Sequence, residues 1–323
     1  MSKIANAFKG GNGKAFIPFI TCGDPSLEVT EQLVYAMEEA GANLIELGIP
    51  FSDPTAEGPV IQAANTRALS GGVTTDKIFA MVEKIRKNTQ IPMVFMTYAN
   101  VVFSYGTERF IKKASELGMD GLILPDVPYE EKEEFDSVCK KYDMDLISLI
   151  APTSHERISM IAKEASGFVY CVSSLGVTGT RSEITTDIGA MVKLVKKAKD
   201  IPCAVGFGIS TPEQAKKMAG LSDGAIVGSA IVKLCGTYGK DAVQSLLCFC
   251  LHLFSFYLCT MVLLSFVLFH FPFDHDHYIL LYIPFHLDLL LLLLDCYNFW
   301  LLMLLIYLYL FLLVLHIFCL LCL

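Results

Sequence analysis

Past Lys240 the 323-residue chain contains no Lys and no Arg, so all 25 of its basic residues lie in the first part. Past Val243 it also contains no Gly, no Ala and no Glu, and the only acids there are Asp274, Asp276, Asp288 and Asp295. Removing those four from the 33 acids leaves 29 against 25 bases, a net charge of −4 for residues 1–243. That mildly acidic stretch has no dense run of Lys and Arg such as a phosphate backbone demands, which argues against nucleic acid as a partner. CxxC spacing is absent from residues 1–243 as well. Cys22, Cys139, Cys171, Cys203 and Cys235 stand singly, as small buried apolar residues do in a reducing cytosol, and no metal site is expected. The opening residues, Met1 to Lys9, lack the apolar stretch of a signal peptide, so a cytoplasmic protein is expected.

What the first part does contain is an alternation of short apolar runs with amphipathic helical stretches, eight times over. The runs are Phe16–Ile20, Asn43–Leu47, Pro92–Met96, Gly121–Leu124, Asp145–Ile150, Gly167–Val172, Cys203–Gly206 and Gly224–Val227. Most are continuous rather than alternating, as parallel strands covered on both faces should be. Between them lie helical patterns over Leu27–Ala40, Thr75–Lys87, Thr107–Leu117, Glu130–Tyr142 and Thr211–Ala219, with cap signals at Ser26, at Thr74 and in Ser210-Thr211-Pro212-Glu213. Eight βα units in about 240 residues predict a (β/α)₈ barrel of the α/β class. A doubly wound sheet competes, but the turn after the first run, Thr21-Cys22-Gly23-Asp24-Pro25, has no GxGxxG.

In a barrel of this kind the chemistry sits at the C-terminal ends of the strands. The seventh run leads into Gly206-Phe207-Gly208, and the eighth into Gly228-Ser229, which opens a short helix. Bare glycine N–H groups and a helix N-terminus together make a phosphate cradle. A third glycine-rich loop, Leu175 to Arg181, follows the sixth run. One such loop would read as a tight turn, but three at one end predict a phosphate site. Glu46 lies inside an apolar run and should point into the barrel mouth, where burial raises a carboxyl pKa toward neutrality. Glu57 follows in a long, proline-interrupted loop that can fold back over the mouth. From the residues alone, Glu46 could equally sit in an internal salt bridge and Glu57 in water.

The run Glu46–Gln62, together with Phe16–Pro25, Met96–Asn100, Pro125–Pro128, Gly176–Gly179 and Gly206–Ile209, closely resembles the signature of the tryptophan synthase α family, in order from about Phe16 to Val243. The resemblance implies a lyase of tryptophan biosynthesis that splits indole-3-glycerol phosphate by retro-aldol cleavage into indole and glyceraldehyde 3-phosphate. It implies Glu46 as the main acid/base and Glu57 as the second catalytic carboxylate. Phe19, Tyr98 and Ile123 would line the indole pocket, Tyr170 would stand near the glycerol chain, and Thr178 would belong to a mobile loop. Gly179, Gly208, Gly228 and Ser229 would hold the phosphate. Asp53 would touch a β chain in an α₂β₂ assembly, and that partner would carry pyridoxal phosphate, no cofactor being needed in this chain. Two positions depart from the family pattern: Glu57 stands where Asp is usual, and Ser174 where Arg is frequent. A regulatory barrel without turnover, a free-standing lyase and a membrane-anchored one remain open.

The break after Val243 explains why the whole chain, at 54% hydrophobic and a mean hydropathy of +0.52, is so apolar. The chemistry therefore belongs to a domain over 1–243, and 244–323 reads as a separate apolar tail in place of the final barrel helix. Segments 246–272, 278–294 and 298–323 are long enough for membrane spans, and Lys233 and Lys240 upstream would leave the barrel cytosolic. Genuine spans, however, use Gly and Ala at helix contacts, and genuine loops carry Lys or Arg. The residues favoured here share T-rich codons, so a frameshifted or non-coding stretch is expected rather than an anchor. His275 and His277 in so biased a stretch do not make a metal site.

Overall fold

The computed structural model describes residues 3–9, 13–173, 187–206, 208–209 and 211–251, all within a compact unit spanning Met1–Val262. Its apolar runs form nine parallel strands: β1 (Ala15–Thr21), β2 (Ile45–Gly48), β3 (Met93–Met96), β4 (Gly121–Ile123), β5 (Asp145–Leu146), β6 (Ser148–Ile150), β7 (Val169–Val172), β8 (Cys203–Gly206) and β9 (Gly224–Val227). The sheet order is β5-β4-β3-β2-β1-β9-β8-β7-β6. Only Ile147 separates the two strands at the ends of that order, and its N–H still donates to the Leu122 carbonyl at 2.9 Å. The sheet therefore returns on itself as a nearly closed barrel. The expected fifth strand, Asp145–Ile150, is interrupted where its pairing passes from β4 to β7.

Every residue of β1, β2, β7, β8 and β9 is buried, which is why these stretches hardly alternate in sequence. One face looks into the barrel, where Ile17, Leu44, Val94, Ile123, Ile147, Val172, Ala204 and Ile226 form an inner cluster. The other face, with Phe16, Ile20, Ile45 and Leu47, packs on helix residues such as Leu33, Met37, Phe79 and Val82. Each such side chain contributes about 1.5–3 kcal/mol by leaving water. A short helix, α1 (Lys3–Ala7), adds Ile4 to the inner cluster beside Gly121, at the N-terminal end of the strands.

The outer layer comprises α2 (Leu27–Glu39), α3 (Pro59–Ser70), α4 (Thr75–Ile85), α5 (Ala99–Tyr105), α6 (Thr107–Glu116), α7 (Glu133–Lys141), α8 (His155–Glu164), α9 (Ile188–Ala198), α10 (Pro212–Leu221) and α11 (Ser229–Tyr238). Ser26, Thr74 and Thr211 cap α2, α4 and α10 through their hydroxyls, as their positions in the sequence suggest. The helix expected over Glu130–Tyr142 is divided: a 3₁₀ turn at Tyr129–Glu131 precedes α7, which starts without a side-chain cap. The chain is helical again over 242–251, across Val243, and Ala242, Leu246 and Cys250 turn one fully buried stripe toward the outer core. The first stretch long enough for a membrane span thus begins, at 246, within a helix packed on the barrel. The remainder of that stretch and the two that follow lie outside the described residues, as do His275 and His277. Among the described residues no helix is long and apolar enough to cross a membrane.

Candidate active site

Strand register builds the site. Phe19 of β1 stands opposite Glu46 of β2, and both side chains face the interior because Ile45 and Leu47 already belong to the helix-facing layer. Together with Glu57, Ile61, Met96, Tyr170, Gly208, Ile209, Ile226, Gly228 and Ser229 they line a pocket at the C-terminal ends of the strands. It encloses about 480 Å³ of space, part of it open to solvent.

Glu46 is fully buried, and among the described residues neither carboxylate oxygen has a hydrogen-bond partner. The salt bridge that its position in an apolar run left open is therefore not made. Burial alone pushes its pKa up to about 8. The buried Tyr170 phenol is pushed well above its ordinary range by desolvation and by the Glu46 charge, which places the two groups in one electrostatic neighbourhood.

Glu57 precedes α3, in the loop whose Gly58 caps that helix and whose Pro59 opens it. Burial raises its carboxyl to about 7, against hydrogen bonds from Asn65 and Tyr98 that favour the charged form. The Asn65 amide donates to Glu57 Oε2 at 2.7 Å, and the Tyr98 oxygen also accepts from the Ala56 N–H at 3.1 Å. Phe51 packs its ring on Tyr98 at 5.4 Å between centroids.

The opposite wall is glycine and a helix end. Gly208 has φ +89°, a left-handed conformation that a side chain would strain. Gly228 leads into α11, which has ten residues, no acid in its first turn and no side-chain cap. The first intrahelical bond there is Val232 N–H to Gly228 O, so the free N–H end of the helix begins at buried Ser229, on the pocket wall.

Of the residues singled out from sequence, Phe19, Glu46, Glu57, Tyr170, Gly208, Gly228 and Ser229 thus come together around one pocket. Tyr98 reaches it through its hydrogen bond to Glu57, and Ile123 lies in the inner cluster that also holds Tyr170 and Ile226. Asp53 is exposed on the loop after β2, where it accepts a hydrogen bond from Ser52. Ser174, Thr178 and Gly179 lie outside the described residues. Sequence reasoning passed over Ile61, Met96, Ile209 and Ile226 as lining residues. Met96 and Ile209 could have been found, because one ends a strand and the other follows Gly208.

A profile of the tryptophan synthase alpha chain family matches residues 5–252. The chain belongs to this family. It is 52% identical over 234 residues to the tryptophan synthase alpha chain of Lacticaseibacillus casei, covering 72% of this chain and 87% of that one. To the alpha chain of Thermoanaerobacter sp. (strain X514) it is 51% identical over 236 residues, covering 72% and 90%. Among solved structures, the tryptophan synthase α₂β₂ complex of Pyrococcus furiosus matches with a TM-score of 0.70 at 34% identity, over 75% of this chain and 98% of that one. The alpha chain of Legionella pneumophila matches with a TM-score of 0.70 at 36% identity, over 78% and 96%. The barrel is therefore the tryptophan synthase alpha barrel.

Proposed function

We propose that this pocket cleaves indole-3-glycerol phosphate into indole and glyceraldehyde 3-phosphate, with Glu46 moving the protons and Glu57 balancing charge on the ring nitrogen. The observation that carries the reading is Glu46 itself: a buried carboxyl with both oxygens unpartnered among the described residues, facing a pocket whose far wall is Gly208, Gly228 and the start of α11. A group with a pKa near 8 holds a proton at neutral pH and can give it away. Glu46 delivers that proton to carbon 3 of the indole, and the ring becomes an indolenine with positive charge on nitrogen. Glu57, held toward its ionised form by Asn65 and Tyr98, stabilises that charge. Glu46, now a carboxylate, takes the proton of the hydroxyl beside the scissile bond. The carbon–carbon bond breaks, its electron pair returns to the ring, and an aldehyde is left.

Phe19, Ile61, Met96 and Ile226 offer the flat apolar surface an indole needs, with Tyr98 and Ile123 behind it and Tyr170 toward the glycerol chain. Gly208, Gly228 and Ser229, joined by Gly179, hold the phosphate, and that remote contact fixes orientation at the reacting bond. The exposed Asp53 loop is the docking edge for a β chain in an α₂β₂ assembly. Pyridoxal phosphate belongs to that partner, and this reaction asks for no cofactor here. The buried single thiols of Cys22, Cys139, Cys171, Cys203 and Cys235 support a cytosolic setting.

Indole release from indole-3-glycerol phosphate under single-turnover conditions tests the reading. Glu46→Gln is expected to slow it by about 10²–10⁴-fold, the usual contribution of a general acid or base. A variant keeping more than about a tenth of the activity overturns it.

A further inference from the structure

We propose that Asn65 is the positioning residue of Glu57: it fixes the carboxylate in the rotamer and ionisation state that the ring-nitrogen charge requires. The inference rests on the lyase reading of the pocket. Asn65 is only 5% exposed and lies on α3 between the buried residues Ala64 and Ala68, so its amide has no freedom to follow a moving loop. From that fixed point Nδ2 donates to Glu57 Oε2 at 2.7 Å. One turn earlier on the same helix, the Gln62 amide donates to the Glu57 backbone carbonyl, also at 2.7 Å. The helix thus grips both ends of the residue.

The helix is itself tied down. Arg67, two residues on, meets both oxygens of Asp24 at 2.7 Å in a bidentate pair, and Asp24 is 2% exposed in the turn after β1. Ile61 and Val232 pack it against α11 beneath Phe19. The position of the Asn65 amide is therefore set by the barrel and not by the loop that carries Glu57.

Direction matters as much as distance. An amide N–H can only donate, so it favours the carboxylate over the acid and works against the burial that pushes Glu57 up to about 7. Tyr98, at the start of α5, donates to the same group, and the two hold it from opposite elements. Among the described residues the titratable groups facing Glu57 are Tyr98 and, across the pocket, Glu46 and Tyr170. Of the cations on α3 and α11, Arg67 is engaged by Asp24, and Lys233 is exposed to solvent. Without Asn65 one of the two hydrogen bonds that favour the charged form is gone.

The test uses Asn65→Leu, which keeps volume but not the donor, and Asn65→Ala beside it so that the result does not hang on one variant's folding. With indole-3-glycerol phosphate, kcat is expected to fall about tenfold or more, as for a lost hydrogen bond to a charged group. KM should hold, and the acidic limb of the pH–rate profile should move to higher pH. Carbon-13 titration of the Glu57 carboxyl in ligand-free protein, assigned with Glu57→Gln, should move the same way. In a Glu57→Gln background the Asn65 substitutions should cost nothing further. An unmoved Glu57 titration and acidic limb, or an equal proportional loss in the Glu57→Gln background, overturns the inference. Because the carboxyl titration needs no turnover, its outcome is independent of the lyase reading, which falls instead if Glu46→Gln keeps its activity.

Discussion

The Tyr170 phenol lies over Gly206: a Cβ built on that glycine would collide with the hydroxyl and with ring carbons 2.6 Å away. Ala204 is directly opposite Tyr170 across β7 and β8, and Gly206 follows two residues later on the same face. Two small positions in a row thus let a large ring lean along the barrel wall toward Glu46. Gly206→Ala should push the ring aside with the fold intact, lowering kcat by about ten- to a hundredfold, as misplacement at a reacting centre does. A variant with wild-type kcat and an unchanged melting curve would mean that the ring's placement is immaterial.

Glu46 should also make the protein less stable as the pH rises. Its folded pKa of about 8 lies above the ordinary glutamate value of 4.5, so between those limits the folded state holds a proton that the unfolded state has lost. Stability from this group is complete below about pH 4.5 and is lost on the way up through pH 8, at roughly 1.4 kcal/mol per unit. Glu46→Gln removes the cost of burying the charge. Its melting temperature should exceed that of the wild type at pH 8.5, with the gain shrinking toward pH 5. A gain that is the same at both pH values would contradict the burial argument.

Ser229→Asp sets a negative charge at the open N-terminus of α11. In a soluble helix that end welcomes an acid, so the variant should fold at least as well as the wild type. If the same end receives the substrate phosphate, KM for indole-3-glycerol phosphate should rise by tenfold or more while kcat changes little (an order-of-magnitude expectation for one like charge). Unchanged KM would remove Ser229 from the phosphate wall.

The helix over 242–251 should be as much a part of the barrel as any other. Leu246→Asp places a charge at a fully buried position, adding the cost of an unpaired charge to the roughly 2–5 kcal/mol of a lost buried Leu. The expected outcome is a lowered melting temperature and lost cooperativity in calorimetry. A melting temperature within a degree of wild type would show that the segment contributes nothing.

The strands could be read from the sequence because burial on both faces leaves nearly unbroken apolar runs, and Glu46 stood out as a charge with apolar neighbours on both sides, whereas Asp145 only opens its run. Its isolation could not be read, since whether a cation reaches a buried acid depends on strands far away in the chain. Glu57 was visible as a carboxylate in a proline-rich loop, but its partner was not. Asn65 is eight residues away on a helix whose cap is a bare glycine, and an asparagine in a helix carries no mark of where its amide points. The helix over 242–251 was hidden differently: its stripe of Ala242, Leu246 and Cys250 merges into the apolar residues that follow, so no change in periodicity marks it.

The four residues of β2 carry a consequence for how this gene can change. Glu46, like Leu44 just before the strand, turns inward while Ile45 and Leu47 turn to the helices. Insertion or deletion of a single codon there would exchange the two sets, sending the carboxylate into the helix layer and an aliphatic chain into the pocket. Loops at the strand ends can absorb added codons, but β2 can absorb none. Among related genes length variation should therefore skirt this strand even where its aliphatic residues are freely exchanged.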